Sequence, residues 1–351
     1  MDIAFCTLCD RHYLSRALVM IRSLRRHWVG SPPTVFLLCL DAETFDYLGR
    51  HAEPGVTPLP LSWLEQADPE LLSARSNRSL LEYYFTLSPC LPQHILRTFQ
   101  PDAVVSCDAD LWFLENVSFV VDRLSTKSLF ITAHGFSPVM QALGTATGLF
   151  NVSFQGFRND AVGHACLAQW RRQCLEWCRF FVDESRGRYG DQRYLDSWPS
   201  DFTGAIQILE PPTVGLAPWN LARFTLAASA GRLWADSQPV RFFHFHGVRL
   251  LGPSLAADRL WMFHVHPDEV VLQHLYAPYL QELFAAEDTV TRVMGVSRPL
   301  FEAHRRGPLW WRLWRARTVC RLDPQTGHLH RLDYTALHPI AALRSCVAKM
   351  L

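Results

Sequence analysis

In "VVSCDADLWFLEN", residues 104–116, Asp108 and Asp110 stand one residue apart where an apolar run ends, with Glu115 further along. Two carboxylates at the exit of a strand can both reach one divalent cation through oxygen, the ligand that Mg²⁺ and Mn²⁺ require. Such an ion stabilises the negative charge that grows on a departing diphosphate without any proton transfer. A polar turn is the alternative. The flanks argue against it, because "AVVSC" precedes the pair and "LWF" follows it, so there are apolar residues on both sides. Glu115 lies too far along the chain to share the ion and is read as structural.

The elements around the pair suit that chemistry. "DIAFCTLC" reads as an opening strand, and Leu14, Ala17, Leu18, Ile21 and Leu24 follow with helical spacing. "TVFLLCL" is a second, continuously apolar strand, which predicts a parallel sheet covered on both faces. A helix near "AETFDYLGRH" comes next, then a short strand at "GVTPLPL". A helical stretch over 79–99, interrupted near Pro89 and Pro92, leads to "DAVVSCDAD", helical "FVVDRL" and the strand "SLFITAH". The first 135 residues therefore predict an open α/β sheet, in which ligands sit beyond the carboxyl ends of strands.

The remainder is more mixed. A strand and loop at "GLFNVSFQGFRND" precede a long helix from Ala161 and a further helix opened by "GDQRYLDSWPSDF", then short strands within 205–250. Residues 251–351 predict a helical extension. Its segment 305–319 combines Trp310, Trp311 and Trp314 with five arginines, a composition suited either to packing on the main domain or to peripheral contact with an anionic membrane.

Composition sets the outer bounds. A chain of 351 residues with 49% hydrophobic content has material for one large core or two linked ones. Its 34 basic and 33 acidic residues nearly cancel, so no global field favours nucleic acid. The start, "MDIAFCTLC", lacks the features of a signal peptide, and no run reaches the length of a spanning helix, which predicts a cytoplasmic protein with its 10 cysteines as thiols. "CTLC" has zinc-ligand spacing, but no second C-x-x-C accompanies it, so core packing is the better reading.

Taken in order, "VVSCDADLWF", "GLFNVSFQGFRND", "GDQRYLD", "VGLAPWN" and "FFHFHG" resemble nucleotide-sugar-dependent glycosyltransferases of the GT-A fold. The nearest likeness is to the family 8-like group and its bacterial surface-polysaccharide relatives. The resemblance covers residues 1–250 and implies an open, Rossmann-like, mostly parallel sheet. A nucleotide-sugar-binding half (1–135) would be joined to an acceptor half (136–250). It implies transfer of a sugar from a nucleotide-diphosphate-sugar, a UDP-sugar foremost, to a glycan or lipid-linked acceptor with retention, assisted by Mn²⁺ or Mg²⁺.

By position, the resemblance gives Asp108 and Asp110 to metal and diphosphate, with His244 as the third protein ligand. His246 alternates with His244, so only one of the two is expected to face the site. A nitrogen ligand favours Mn²⁺ over Mg²⁺. The resemblance also gives the backbone near Thr7 and the ring of Tyr13 to the nucleotide base, and Arg78 to donor phosphate or sugar. Tyr13 equally fits a core position at a helix start. Asp191 and Gln192 would lie near the anomeric carbon, where polar groups position hydroxyls and stabilise oxocarbenium-like charge. An N-cap role is the alternative for Asp191. Asn151, Trp219 and Asn220 would contact sugar, with a core position the alternative for Trp219. The chain departs from the family pattern after "HFHG", where "VRLLGP" has no lysine-proline-tryptophan ending, and Arg249 is the available cation.

Two other functions share parts of this pattern. A sugar nucleotidyltransferase would carry a glycine-rich loop after the first strand, whereas "TLCDRHYLSR" has no glycine. A silent carbohydrate-binding protein would have no need of the D-x-D, D-Q and H-x-x-G together.

Overall fold

The computed structural model describes residues 1–295 and 318–333. Its first half follows the alternation read from the sequence: β1 (Ile3–Cys9), α1 (Leu14–Arg26), β2 (Val35–Cys39), α2 (Ala42–Arg50) and β3 (Val56–Pro60). α3 (Leu61–Ala67), α4 (Pro69–Arg75), α5 (Leu80–Phe99) and β4 (Ala103–Cys107) come next. Then β5 (Leu111–Phe113), α6 (Phe119–Thr126) and β6 (Leu129–Ala133) lead through α7 (Gln141–Thr147) to β7 (Phe150–Arg158), α8 (Ala161–Glu176), α9 (Trp198–Asp201) and β8 (Ile206–Leu209). The central sheet has the order β3-β2-β1-β4-β7-β6-β8. Its β1–β2, β2–β3, β1–β4 and β6–β8 pairs are parallel, and β7 runs antiparallel to both neighbours. One sheet thus draws strands from both sides of residue 135.

Side chains alternate across this sheet into two cores. Phe5, Leu37, Val105, Cys107 and Phe154 pack on one face with α1, and Cys6, Leu38, Val104 and Phe157 on the other with α5 and α8. Cys6 and Cys9 belong to opposite cores, so they cannot converge on a zinc ion. All nine described cysteines are buried free thiols. α5 runs unbroken through Pro89 and Pro92, contrary to the interruption the sequence predicts. Both prolines are buried, and a capping box at Ser79 and Glu82 starts the helix, so tertiary packing offsets the two missing N–H donors.

Gly156 in β7 lies where a Cβ would run into the Phe130 ring. Gly156→Ala is therefore expected to destabilise the protein by about 1–3 kcal/mol, measured by urea denaturation, because a close-packed core cannot yield a methyl group's volume.

The chain then forms β9 (Leu226–Ser229), β10 (Arg232–Ala235), β11 (Gln238–Pro239), β12 (Phe242–His244), β13 (Arg249–Gly252) and β14 (Leu255–Ala257). α10 (Ala277–Met294), β15 (Thr318–Leu322) and β16 (Leu329–Asp333) complete the described elements. The stretch 251–351 is therefore not wholly helical. β13, β14, β15 and β16 form a four-stranded sheet that begins before residue 250 and rests on a third core around Phe243, Leu275, Leu280 and Cys320. Buried Asp258 ties it together, accepting from Thr318, from Cys320 Sγ and from Arg331 at 2.6 Å. The tryptophan-rich segment, expected to meet a membrane or the domain surface, lies outside the described residues except at Thr318 and Val319, which begin β15. Among the described residues, no helix is long and apolar enough to cross a membrane.

Candidate functional site

β4 ends at Cys107, and the chain turns through Asp108 and Asp110 directly into β5. The apolar "LWF" is thus a strand. It pairs antiparallel with β12, setting Leu111 opposite His244 and Phe113 opposite Phe242. The Phe245 amide also donates to the Asp110 carbonyl at 2.9 Å. This two-stranded ribbon delivers the histidines to the carboxylates.

Asp110 Oδ1 lies 3.0 Å from His244 Nε2, and Asp108 Oδ2 lies 3.7 Å from the same nitrogen. Asp110, His244 and His246 each offer a ligand atom, all within 4.8 Å of one another, and together can hold a metal ion. The expectation that only one histidine faces the site is overturned. β12 presents His244, and the turn that follows, through His246 and Gly247 at φ +85°, brings the second ring to the same group.

The electrostatics are those of a coupled group. Burial alone would raise the Asp110 carboxyl, but His244 holds it below the usual carboxylate range. Asp108 moves upward through desolvation and through the neighbouring Asp110 charge, with His244 acting against both. Its side chain is 43% exposed, so of the two carboxylates it is the one open to solvent. His244 is buried, and Nδ1 has no hydrogen-bond partner while Nε2 faces the carboxylates. Desolvation would lower its pKa, yet Asp110 and Asp108 raise it overall.

Behind the ribbon sits Arg16, an arginine only 1% exposed. Its guanidinium donates to the Val248 carbonyl at 3.0 Å and lies 4.8 Å from the Tyr13 ring centre, tying α1 to the histidine turn. Phe245 stacks on Tyr279 of α10 at 3.6 Å, fixing the other side of the turn.

A second group of polar residues adjoins the first across Trp219. The indole meets His244 and His246 edge-on, at 5.2 and 5.7 Å, and its Nε1–H donates to the His134 carbonyl at 3.0 Å. The His134 ring nitrogen is 3.1 Å from the Asn151 amide, which in turn donates to Gln192 at 3.5 Å. Gln192 donates to the Thr147 carbonyl at 2.9 Å. His134 is not distinguishable in the sequence, being a single histidine at the end of an apolar strand. Burial pushes its pKa down to about 3, and nearby His244 adds to the effect, so the ring stays neutral.

Asp191 is 3% exposed, and its Oδ2 has no hydrogen-bond partner. It caps no helix, since the short turn Arg193–Ser197 begins after Gln192 without a side-chain cap. Trp170 Nε1–H of α8 holds the Asp191 carbonyl at 2.8 Å. Burial pushes the carboxyl up to about 7, opposed by a Ser88 hydrogen bond and aided by the Asp108 charge. Gln155 of β7, opposite Ser106, is also fully buried, with neither amide atom partnered. The alternation of "NVSFQ" carries the only sequence signal for it.

The raised Asp191 pKa has a definite sign. The folded chain keeps a proton that the unfolded chain, with an ordinary carboxyl near ~3.9, has already lost. Stability is therefore fully present below about pH 4 and falls as pH rises toward 7. Asp191→Asn should leave stability unchanged at low pH and raise it by up to about 4 kcal/mol above pH 7, seen in paired urea titrations.

Other expected contacts are placed differently. Thr7 lies within β1, aligned with Leu37, so its backbone is in the sheet ladder and not at a strand end. Its buried hydroxyl has no partner. The strand instead ends toward Asp10, whose carboxylate accepts from the amides of His12 and Tyr13. Tyr13 is partly buried against the α1 core and close enough to Asp110 and Asp108 to feel their charge. Arg78 is turned to the end of α8, donating to the Cys174 and Leu175 carbonyls at 2.9 Å. Asn220 is fully buried and spends its amide on the His134 and Gly215 carbonyls and the Ala217 amide. Trp219 presents no open face, being a wall between the two polar groups. Glu115 pairs with Arg232 at 2.9 Å and is structural.

These features define an α/β protein with a parallel-rich sheet and a carboxylate–imidazole group just beyond the carboxyl end of a central strand. The chain belongs to the family of the uncharacterized protein YfnD of Bacillus subtilis (strain 168), to which it is 31% identical over 280 residues, spanning 80% of this chain and 88% of YfnD. The uncharacterized protein YfnF of the same organism is 28% identical over 259 residues, 72% of this chain and 83% of YfnF. No protein-family model matches. Among solved structures, apo mouse xyloside xylosyltransferase 1 aligns with a TM-score of 0.44 and 13% identity, covering 70% of this chain and 98% of that one.

Proposed function

We propose that the chain is a metal-dependent glycosyltransferase of the GT-A, family 8-like type, moving a sugar from a nucleotide-diphosphate-sugar to a glycan or lipid-linked acceptor with retention. One observation carries this reading. The D-x-D and the H-F-H-G, more than a hundred residues apart in sequence, meet in one ribbon beyond β4, where an α/β sheet places its ligands.

Asp108, Asp110, His244 and His246 would hold the ion. Two imidazoles beside carboxylates form a mixed nitrogen and oxygen set, which suits Mn²⁺ better than the all-oxygen preference of Mg²⁺. A divalent cation there supplies charge stabilisation to the leaving diphosphate. Tyr13, at the start of α1 and near the carboxylates, fits the nucleotide side. Asp191 and Gln192 fit the sugar side, with Gln192 and Asn151 joined through their amides. A carboxyl raised to about 7 gains and loses its proton near neutrality. In a retaining reaction the departing phosphate would take the acceptor proton, and Asp191 would position the sugar. The transferase unit would span residues 1–250, with 251–351 buttressing it through α10.

A thermal-shift screen of nucleoside diphosphates with and without Mn²⁺ tests the reading. Stabilisation by one nucleotide only when the metal is present supports it, with UDP foremost; no response to any nucleotide overturns it.

A further inference from the structure

At the turn that follows His134 lies a cavity of about 330 Å³, lined by Gly135, Phe136, Gln141, Gly144, Thr145, Leu149 and Arg223. It adjoins the sugar-side residues closely. His134 precedes Gly135 and stacks its ring on Phe136 at 4.5 Å, and Leu149 lies two residues before Asn151. Gln192 donates to Thr147, in the α7 helix that supplies Gln141, Gly144 and Thr145. The volume is at the lower end of ligand pockets, enough for the head of a larger molecule.

The chemistry of the walls is divided. At one side Arg223 donates to the Gly135 carbonyl at 2.7 Å, is exposed, and has no carboxylate partner among the described residues. Gln141 and Thr145 add hydrogen-bonding groups. At the other side Leu149 is exposed, and the segment that frames the cavity also exposes Val139 and Leu143. Three large apolar side chains held in water within one short excursion mark a surface built to be covered. An oxygen-rich head would meet Arg223, Gln141 and Thr145, and an apolar tail would lie over Val139, Leu143 and Leu149.

We infer that this cavity is the acceptor subsite, and that the acceptor is amphipathic: a hydroxyl-bearing head joined to an apolar aglycone. The inference rests on the glycosyltransferase reading and narrows its acceptor, a glycan or lipid-linked molecule, to one carrying a hydrophobic tail. The head enters beside His134 and Asn151, within reach of the Gln192 side of the site. The tail leaves over the α7 rim.

The test uses the full chain and two probes, methyl β-glucoside and n-octyl β-glucoside, the latter below its micelle concentration, with binding followed by tryptophan fluorescence. The octyl glycoside should bind at least about tenfold more tightly, since burying even two methylenes is worth that much. Leu143→Asp/Leu149→Asp should abolish the gain while leaving the Mn²⁺-dependent nucleotide shift intact. Equal binding of the two glycosides, or a gain that survives in the double variant, overturns the inference. So does a change in sedimentation mass in the variant, which would make the rim a contact between two copies of the chain. Co-sedimentation with phosphatidylcholine vesicles that depends on Leu143 and Leu149, without preference between the glycosides, would assign the rim to a bilayer and also overturn it. Loss of the nucleotide shift in the unmodified chain would instead count against the glycosyltransferase reading itself.

Discussion

Asp110→Ala is expected to eliminate the metal-dependent response to nucleoside diphosphate and to lower sugar transfer by a factor on the order of 10³, the scale of losing one preorganised electrostatic group from a buried site. Asp110 is the carboxylate closest to His244, and it belongs with both histidines to the group that can hold an ion. Without it, Asp108 is left as the carboxylate at 3.7 Å from His244 Nε2, with much of its side chain in water. Asp108→Ala should therefore weaken metal binding less than Asp110→Ala. His244 would also lose the partner that raises its pKa, so its charge would disappear at a lower pH. Asp110→Asn separates charge from shape, because it keeps the volume and removes the anion. Metal-titrated thermal shifts and initial rates on all three variants make the comparison, and an Asp110→Ala protein that keeps its Mn²⁺-dependent nucleotide shift would refute the assignment.

The second large effect is on stability. Trp170 is buried between Phe157 and Trp198, with its ring centre 6.3 Å and 5.3 Å from theirs. Trp170→Ala is expected to cost about 3–5 kcal/mol in urea denaturation, from lost burial and the cavity left behind. It also removes the donor that holds the Asp191 carbonyl. Trp170→Phe should cost clearly less in stability, yet still release that carbonyl. If α8 positions the sugar-side carboxyl through this bond, Trp170→Phe will lower kcat with little change in nucleotide binding. A Trp170→Phe enzyme with unaltered kcat would make the bond purely structural.

Much of the scaffold was legible because apolar periodicity reports it directly. Continuous apolar strands alternating with amphipathic helices predicted the parallel part of the sheet, and the flanks of the D-x-D marked it as unlike a solvated turn. The pairing of "LWF" with "FFH" was not legible, since neither segment carries a signal for its partner and the contact is made across a long sequence separation. Arg78 and Asn220 were misplaced for a common reason. Helix ends and turns leave carbonyls and amides needing partners, and polar side chains of the right length serve them as readily as they serve a substrate. Pro89 and Pro92 show the same limit for local rules, because α5 is buried on enough of its surface to stay helical. His134 and Gln155 gain their significance only from what surrounds them.

The ribbon that joins β5 to β12 also sets an order of events during synthesis. Asp108 and Asp110 leave the ribosome well before His244 and His246, by roughly 7–30 s at ordinary elongation rates. Through that interval the growing chain can complete most of the central sheet, while the carboxylates lack both imidazoles and the Arg16 side chain lacks the Val248 carbonyl. Until the later segment has been made, the chain cannot bring the carboxylates and imidazoles together. The group that can hold an ion is therefore completed only when the segment around β12 pairs with β5.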